Sequence, residues 1–406
     1  MNIAWVSSSP PHWPATGGFS LVGGNLIPLL ARRHRVDLVS LVRPVEEPHL
    51  DWARRHCAWV QTVQAGRQSL PLRLGNFFSG YLRGRNLVYR SEMDAILRAG
   101  LRQRSWDILH VEGGFVAGLI PEDLPIPKVL AVHDAEVLRT HEMLQCKLSI
   151  RIKLTYIARM YREPRYERLV YPRFAQCIML SEYDAAFNRK LVPLGNFCVI
   201  PNGIDCNYYY PLAVEKDPLS VTFHGNLSYA PNVDAAREFA DQILPLIRGE
   251  QPGVTLHLVG ATPTRQVKEL ALRPGVRLSA NLPDLRHALC SSMIYVSALR
   301  HGTGIKNKIL EALALELPIV CYEASTAGIG CTPGKHLLVA RDDRDFAAKV
   351  LGLIRDPQCA REMARAGRKF VVENYSWESR AAAYEQIYER LTAGHCAVTA
   401  ISKAAS

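Results

Sequence analysis

The segment Ser297–Glu311, SALRHGTGIKNKILE, gathers Arg300, Lys306 and Lys308 around Gly302 and Gly304, directly ahead of an apolar helix pattern. From Ile305 onward, Ile309, Leu310, Leu313, Ala314 and Leu317 share one helical face. Its first turn carries two lysines, although the helix macrodipole puts partial positive charge at that end. A strongly negative ligand docked there would offset the cost. Glycines let backbone N–H groups approach such a ligand, and a helix start supplies unpaired donors. Arg300, Lys306 and Lys308 would complete a diphosphate cradle through charge-assisted bonds. Glu311, one turn further in, can accept hydrogen bonds from the vicinal hydroxyls of a ribose. A plainer arrangement uses the same residues: Lys308 and Glu311 as an i,i+3 surface pair, with the glycines making a turn.

Other candidates follow apolar runs in the same way. SSPPHWPATGGFSLVGGNL, Ser8–Leu26, places Gly17 and Gly18 between a first strand and a helix. It is either a loop that touches sugar or phosphate, or a flexible strand–helix turn; it is not a GxGxxG fingerprint. In KVLAVHDAE, His133 ends a strand, where an imidazole can hydrogen-bond a substrate hydroxyl or serve a structural role. In TFHGNLSYAPNVDAA, Gly225 suits close approach of a ligand, Asn226 is uncharged, and Asn232 fits a helix N-cap before Val233. Arg139–Arg173 interleaves Lys147, Arg151, Lys153, Arg159, Arg162, Arg165, Arg168 and Arg173 with apolar residues, as a solvated helix face or a helix lying on an acidic membrane does. Arg67, Arg73, Arg83, Arg85 and Arg90 lie among Phe77, Phe78, Tyr81 and Tyr89, but no RNA-binding motif accompanies them.

Such side chains need elements to hold them. NIAWVSS, VDLVSLV, DILHVEG, KVLAVHD and QCIMLSE in the first half, and SVTFHGN, VTLHLVG, VRLSANL, MIYVSAL, PIVCYE and KHLLVA in the second, read as buried strands alternating with helices. The predicted fold class is α/β: two doubly wound, Rossmann-like domains facing across a cleft, with ligands outside the C-terminal strand edges. The boundaries predicted are 1–207, 208–375, a closing helix over 376–392 and a tail over 393–406. The 406 residues suffice for two domains, and 48% hydrophobic with 21% charged residues suits packed cores. Ten scattered cysteines without zinc spacing suggest reduced thiols in the cytoplasm and no metal site. No apolar run is long enough to span a membrane. Net charge is +11, of which residues 1–195 carry +9 (26 basic, 17 acidic), pointing to an acidic partner for that half.

Taken together, PPHWPATGG, AVHDAE, VIPNGID, FHGNLSYAPN, LHLVG, NLPDLRHAL, RHGTGIKNKILEALALELPIV and YSWES resemble, in order and spacing, a GT-B glycosyltransferase of the large retaining family four. The last long motif is similar to a bacterial subgroup of exopolysaccharide and cell-envelope synthesis. The resemblance implies a nucleotide-diphospho-sugar on the second domain, an acceptor on the first, and a closing helix that crosses back to the first. It implies that Glu311 holds the ribose, that His133 lies near a hydroxyl of the donor sugar, and that Gly17 and Gly18 approach the phosphates. No cofactor or metal is implied; cations and helix dipoles stabilise the departing diphosphate. Two positions depart from the family pattern: Thr303 replaces the first glutamate of a Glu-x7-Glu motif, and Asn226 stands where an arginine is usual. The expected compensation is that Arg300, Lys306 and Lys308 supply the missing charge, beside Gly225, Gly302 and Gly304.

The predicted function is retaining transfer of a sugar from a nucleotide-sugar to a carbohydrate or lipid-linked acceptor. It is expected in the cytoplasm or at the inner face of the membrane, with nucleic acid not expected as a partner. Two alternatives carry different signatures. A GT-B epimerase would need cleft carboxylates for acid–base work, and a non-catalytic scaffold would bind no donor.

Overall fold

The structure is a computed structural model of the chain and describes residues 1–14, 18–66, 68–301 and 304–404. Gly17, Gly302 and Thr303, three of the predicted ligand-binding positions, and Arg67 lie outside the described residues. Two compact units form. One comprises Met1–Val137, Ile157–Pro201 and Trp377–Ser406; the other comprises Leu138–Tyr156 and Asn202–Ser376.

The first unit holds β1 (Asn2–Ser7), β2 (Arg35–Val42), β3 (Trp59–Gln64), β4 (Ile108–Glu112), β5 (Lys128–His133), β6 (Gln176–Met179) and β7 (Phe197–Val199). They make one sheet in the order β3-β2-β1-β4-β5-β6-β7, parallel throughout. The second holds β8 (Asp217–His224), β9 (Thr255–Gly260), β10 (Val276–Ala280), β11 (Ser292–Ser297), β12 (Ile319–Tyr322) and β13 (Leu338–Ala340), in the order β10-β9-β8-β11-β12-β13. It too is parallel. Helices cover strands such as β4 and β5, whose residues are buried without exception. In each sheet the strand order reverses once, between β1 and β4 and between β8 and β11. Side chains at the C-terminal ends of those strands are where such a sheet presents a ligand site.

Two strands were not predicted. β3, WVQTVQ, is an edge strand with a mostly part-exposed pattern, so it lacks the continuous apolar run that marked the others. β7 is only three residues long. The helix expected from Ile305 or Lys306 begins at Asn307 and ends at Ala314, with Lys306 in the N-cap position.

The chain leaves the first unit at Pro201/Asn202, a few residues before the predicted boundary at 207/208. Ile204 explains this: its N–H donates to Tyr375 O (2.7 Å), and Ile204 and Ser376 form a parallel bridge inside the second unit. The closing helix runs Trp377–Ala404, past the predicted end at 392 and through most of the predicted tail. Trp377, Ala381, Tyr384 and Tyr388 recur at helical spacing and pack into the core of the first unit with Ile3, Trp5, Leu26 and Leu30. The closing helix thus belongs to the first unit, as the family resemblance implies. Among the described residues no helix is long and apolar enough to cross a membrane.

Candidate functional site

In the second unit, β8 ends at His224 and passes through Gly225–Ser228 into the helix Ala230–Glu238. β11 ends at Ser297, and its loop leads to the helix Asn307–Ala314. Lys308 sits in the first turn of that helix and reaches back across the strand edge to the β8 loop. Its Nζ donates to Asn232 Oδ1 (2.5 Å) and lies 4.7 Å from the centroid of the Phe223 ring. Burial, with the Lys306 charge beside it, draws the Lys308 ammonium down to about 7, against a smaller opposing pull from Glu311. Gly225 makes the approach possible: a Cβ there would sit 2.8 Å from Asn232 Nδ2 and 3.2 Å from Lys308 Nζ. Gly304 has φ +69°, a left-handed conformation that glycine adopts without steric cost.

Asn232 is not the N-cap predicted. The helix starts earlier, at Ala230, so Asn232 lies within its first turn, and its side chain ties the loop after β8 to the helix that carries Lys308. While Oδ1 accepts from Lys308, Nδ2 donates to Asn226 O (2.9 Å). Asn226 organises its own loop, its Oδ1 accepting from Ser228 N (2.9 Å), Ser228 Oγ (2.7 Å) and Thr262 Oγ1 (2.9 Å). One turn along from Lys308, Glu311 Oε2 is 2.6 Å from Nε2 of His224, a buried imidazole against the Tyr295 ring. Sequence reasoning passed over His224; its position as the last residue of an apolar strand, directly before Gly225, was the available signal.

Gly225, Asn226, Gly304, Lys306, Lys308 and Glu311 therefore gather around the β8 and β11 edges. Lys306 Nζ donates to Gly304 O (3.2 Å). Arg300 is placed differently. Its guanidinium is held by Glu238 (Nε to Oε2, 2.9 Å) and Asp343 (2.5 Å) and lies over the Tyr322 ring at 4.6 Å. With two carboxylates on one guanidinium, Arg300 brings no unmatched positive charge to the loop. Among the described residues no three His, Cys, Asp or Glu side chains gather as a metal site.

In the first unit, His133 closes β5 with φ +73°, buried, and the first residue of the helix Gly18–Leu30 lies against it: a Cβ on Gly18 would be 3.9 Å from His133 Nδ1. Its Nε2 meets Oε1 of Glu112, the last residue of β4. The second carboxylate oxygen of Glu112 is 2.8 Å from His110 Nε2, and His110 Nδ1 is 2.8 Å from Tyr388 OH on the closing helix. His110 also stacks on Trp5 at 3.8 Å. Glu112 is fully buried. Burial alone would raise its pKa, but His133 and His110 more than offset that and hold it below the ordinary carboxylate value.

Two doubly wound units with polar side chains at their C-terminal strand edges fit the GT-B architecture of glycosyltransferases, and the family models matched along the chain make it one of them. Residues 16–208 match the family model described as Glycosyltransferase Family 4, and residues 218–356 the model described as Glycosyl transferases group 1. A 44.6 kDa protein from the cps region of Klebsiella pneumoniae is 21% identical over 92% of this chain and 96% of its own length. Sucrose-phosphate synthase from Thermosynechococcus elongatus shares the fold with a TM-score of 0.72 at 18% identity, covering 97% of this chain and 100% of that one. Anabaena HepE, solved in complex with UDP-glucose, gives 0.64 at 16% identity, covering 97% and 100%.

Proposed function

We propose that the protein is a retaining glycosyltransferase that moves a sugar from a nucleotide-diphospho-sugar to an acceptor hydroxyl in polysaccharide, glycolipid or cell-envelope synthesis. The observation that carries the proposal is Lys308. A half-buried lysine in the first turn of its helix, set against Asn232 and Gly225 and with a lowered pKa, is a cation that an anion would stabilise. It supplies the charge missing at Asn226. In this reading Lys308, Lys306 and the helix start receive the diphosphate and stabilise it as it leaves, without a metal. Glu311, oriented by His224, accepts from the ribose hydroxyls. His133, beside Gly18, meets a hydroxyl of the donor sugar. The leaving diphosphate takes the acceptor proton, which accounts for retention without a pair of reacting carboxylates. HepE, crystallised with UDP-glucose, supports a nucleotide-sugar as donor, and the cps-region relative supports a polysaccharide product.

A panel of nucleotide-sugars tests this by nucleotide release. Release with one donor, lost in Lys308→Ala and Glu311→Ala, is the expected outcome. Donor binding that yields only isomerised sugar would replace the transferase with an epimerase, and binding of no donor would point to a scaffold.

The same proposal places the acceptor at the acidic inner face of a membrane. Within the helix Ile150–Val170, Ile150, Leu154, Ile157 and Tyr161 are exposed at i, i+4, i+7 and i+11. The twenty residues from Met143 to Arg162 contain five cations and no acid. The later arginines of the predicted basic segment are occupied: Arg159 by Glu136, Arg165 by Tyr81 O, Arg168 by Leu191 O and Arg173 by Glu122. Separately, the helix Leu70–Arg83 exposes Leu70, Leu74, Phe78 and Leu82 within forty residues, Trp52–Ser91, that hold seven arginines and no acid. An exposed apolar stripe flanked by Lys147, Arg151 and Lys153 suits anionic headgroups. Co-sedimentation with phosphatidylglycerol vesicles but not phosphatidylcholine vesicles is expected, falling when Ile150 and Leu154 become Ser.

A further inference from the structure

The corner of the first unit where the helix Leu70–Arg83 ends is crowded with cations. Arg173 closes that helix: Nη2 donates to Arg83 O (2.7 Å) and Nη1 to Gly84 O (3.0 Å). The same Nη1 lies 3.0 Å from Glu122 Oε1, and Arg85 Nε donates to that one oxygen, also at 3.0 Å. Lys128 reaches the backbone of the same residue, Nζ to Glu122 O at 2.7 Å. The partner of Arg90 is likewise a carbonyl and not a carboxylate: Nη1 donates to Gly118 O (2.9 Å). Two further acids bear on this corner, Asp94 and Asp123, and Arg98 pairs with both. Five cations thus share three carboxylates. The arrangement costs stability. Burial draws the pKa values of Arg90, Lys128 and Arg173 down, and neighbouring cations add to it: Arg85 at Arg90, Arg173 at Lys128, and Arg85 and Arg90 at Arg173. The opposing pull of Glu122, Asp94 and Asp123 is smaller. An anion among these groups would offset the cost.

The surroundings say what kind of anion. The helix that runs into the cluster exposes Leu70, Leu74, Phe78 and Leu82 along one side, and the turn beyond it exposes Leu87 between Arg85 and Arg90. A free phosphate gains nothing from such side chains. A phospholipid offers a phosphodiester and acyl chains in one molecule, and so matches the charge and the apolar stripe together. We propose that Arg85 and Arg90, at the foot of the helix Leu70–Arg83, receive the phosphodiester of an anionic glycerophospholipid, while Leu74, Phe78 and Leu82 enter the acyl boundary. The proposal rests on the reading that the protein works at a membrane, and it gives that reading a defined contact in the first unit. Arg173 and Lys128 hold the backbone of the corner. Arg85 spends one N–H on Glu122 and Arg90 one on Gly118 O, so each keeps donors for the headgroup.

Co-sedimentation with mixed phosphatidylglycerol–phosphatidylcholine vesicles, against phosphatidylcholine alone, reads the site without donor or acceptor. A cation near an anionic surface is worth roughly fivefold in partitioning. Arg85→Gln with Arg90→Gln should therefore weaken binding to the mixed vesicles about twenty-five-fold and leave phosphatidylcholine binding as it was. Arg85→Lys with Arg90→Lys keeps the charge and should stay within about threefold of wild type. A loss as large as that of the Gln pair would make the arginines structural and overturn the proposal. Arg361→Gln removes the same charge from an exposed helix position of the second unit and should change nothing. A fivefold loss there would reduce the attraction to net charge, without a site. Leu74→Ser with Phe78→Ser should also weaken vesicle binding. If instead inorganic phosphate raises the melting temperature of wild type but not of the Gln pair, and phosphatidylglycerol is not preferred, the ligand is a free anion and the lipid is excluded. Binding lost in Ile150→Ser with Leu154→Ser but untouched in the Gln pair keeps the membrane reading and overturns this site. Wild-type protein that sediments with no vesicle overturns the membrane reading itself. UDP release from UDP-glucose without vesicles should be the same in the Gln pair as in wild type.

Discussion

Each unit holds a charged side chain near the C-terminal edge of its sheet, and the two charges are opposite. At the β8/β11 edge of the second unit, a half-buried lysine stands among amide and glycine neighbours, and its ammonium donates to the amide oxygen of Asn232. At the β4/β5 edge of the first, a carboxylate is enclosed and both its oxygens are matched by imidazoles. The lysine is left unsatisfied in charge, and its pKa falls to about 7; the carboxylate is satisfied, and its pKa falls below the ordinary value. An enclosed charge that costs stability is one that a ligand can relieve, whereas one that is already paired serves to hold geometry.

The largest break in that contrast should come from Lys308→Met. Loss of a charge-assisted bond of ~1.5–3 kcal/mol lowers UDP affinity about ten- to a hundredfold, while the free protein melts at a higher temperature. Calorimetric titration and thermal melts check the two halves. Were both affinity and stability to fall together, Lys308 would be a structural cation like Arg300.

Changing pH sharpens the same point. Folding lowers the Lys308 pKa from the ordinary 10.5 to about 7, so between those values the unfolded chain binds more protons and stability attributable to this group rises with pH. UDP affinity should move the other way, weakening as pH rises past about 7 and the ammonium is lost. Lys308→Met should flatten that part of both curves.

A smaller effect is expected from Gly225→Ala. The new methyl meets Asn232 Nδ2 at 2.8 Å and Lys308 Nζ at 3.2 Å, so it costs ~1–3 kcal/mol of packing and displaces the lysine. Weakened UDP binding with a lowered melting temperature is the expected pair of readings. The smallest effect should be that of Arg300→Ala: its partners are Glu238 and Asp343, and UDP affinity should stay within about threefold of wild type. A hundredfold loss would return Arg300 to the phosphate cradle.

What the sequence disclosed follows from distance along the chain. Continuous apolar strands and intervening helices announce two parallel sheets, and both are present. Gly304, Lys306, Lys308 and Glu311 lie on one strand–loop–helix passage, so their proximity could be read directly. Arg300 could be read as a charge at a strand end, but its two acidic partners are 62 and 43 residues away and have no local signature. Asn232 looked like a cap because its tie to Lys308 spans 76 residues. Glu112 was invisible for the same reason: alone in DILHVEG it is one acid in an apolar strand, and its meaning comes from His133 and, through His110, from Tyr388, 278 residues beyond that histidine. β3 escaped notice because an edge strand need not be apolar on both faces.

The closing helix has a consequence for biosynthesis. Trp377, Tyr384 and Tyr388 complete the core begun by Ile3 and Trp5, so the amino-terminal sheet leaves the ribosome with one flank bare. It waits while the whole intervening unit is translated and can collapse on its own core. The portion of the polypeptide made first is therefore the last to be finished.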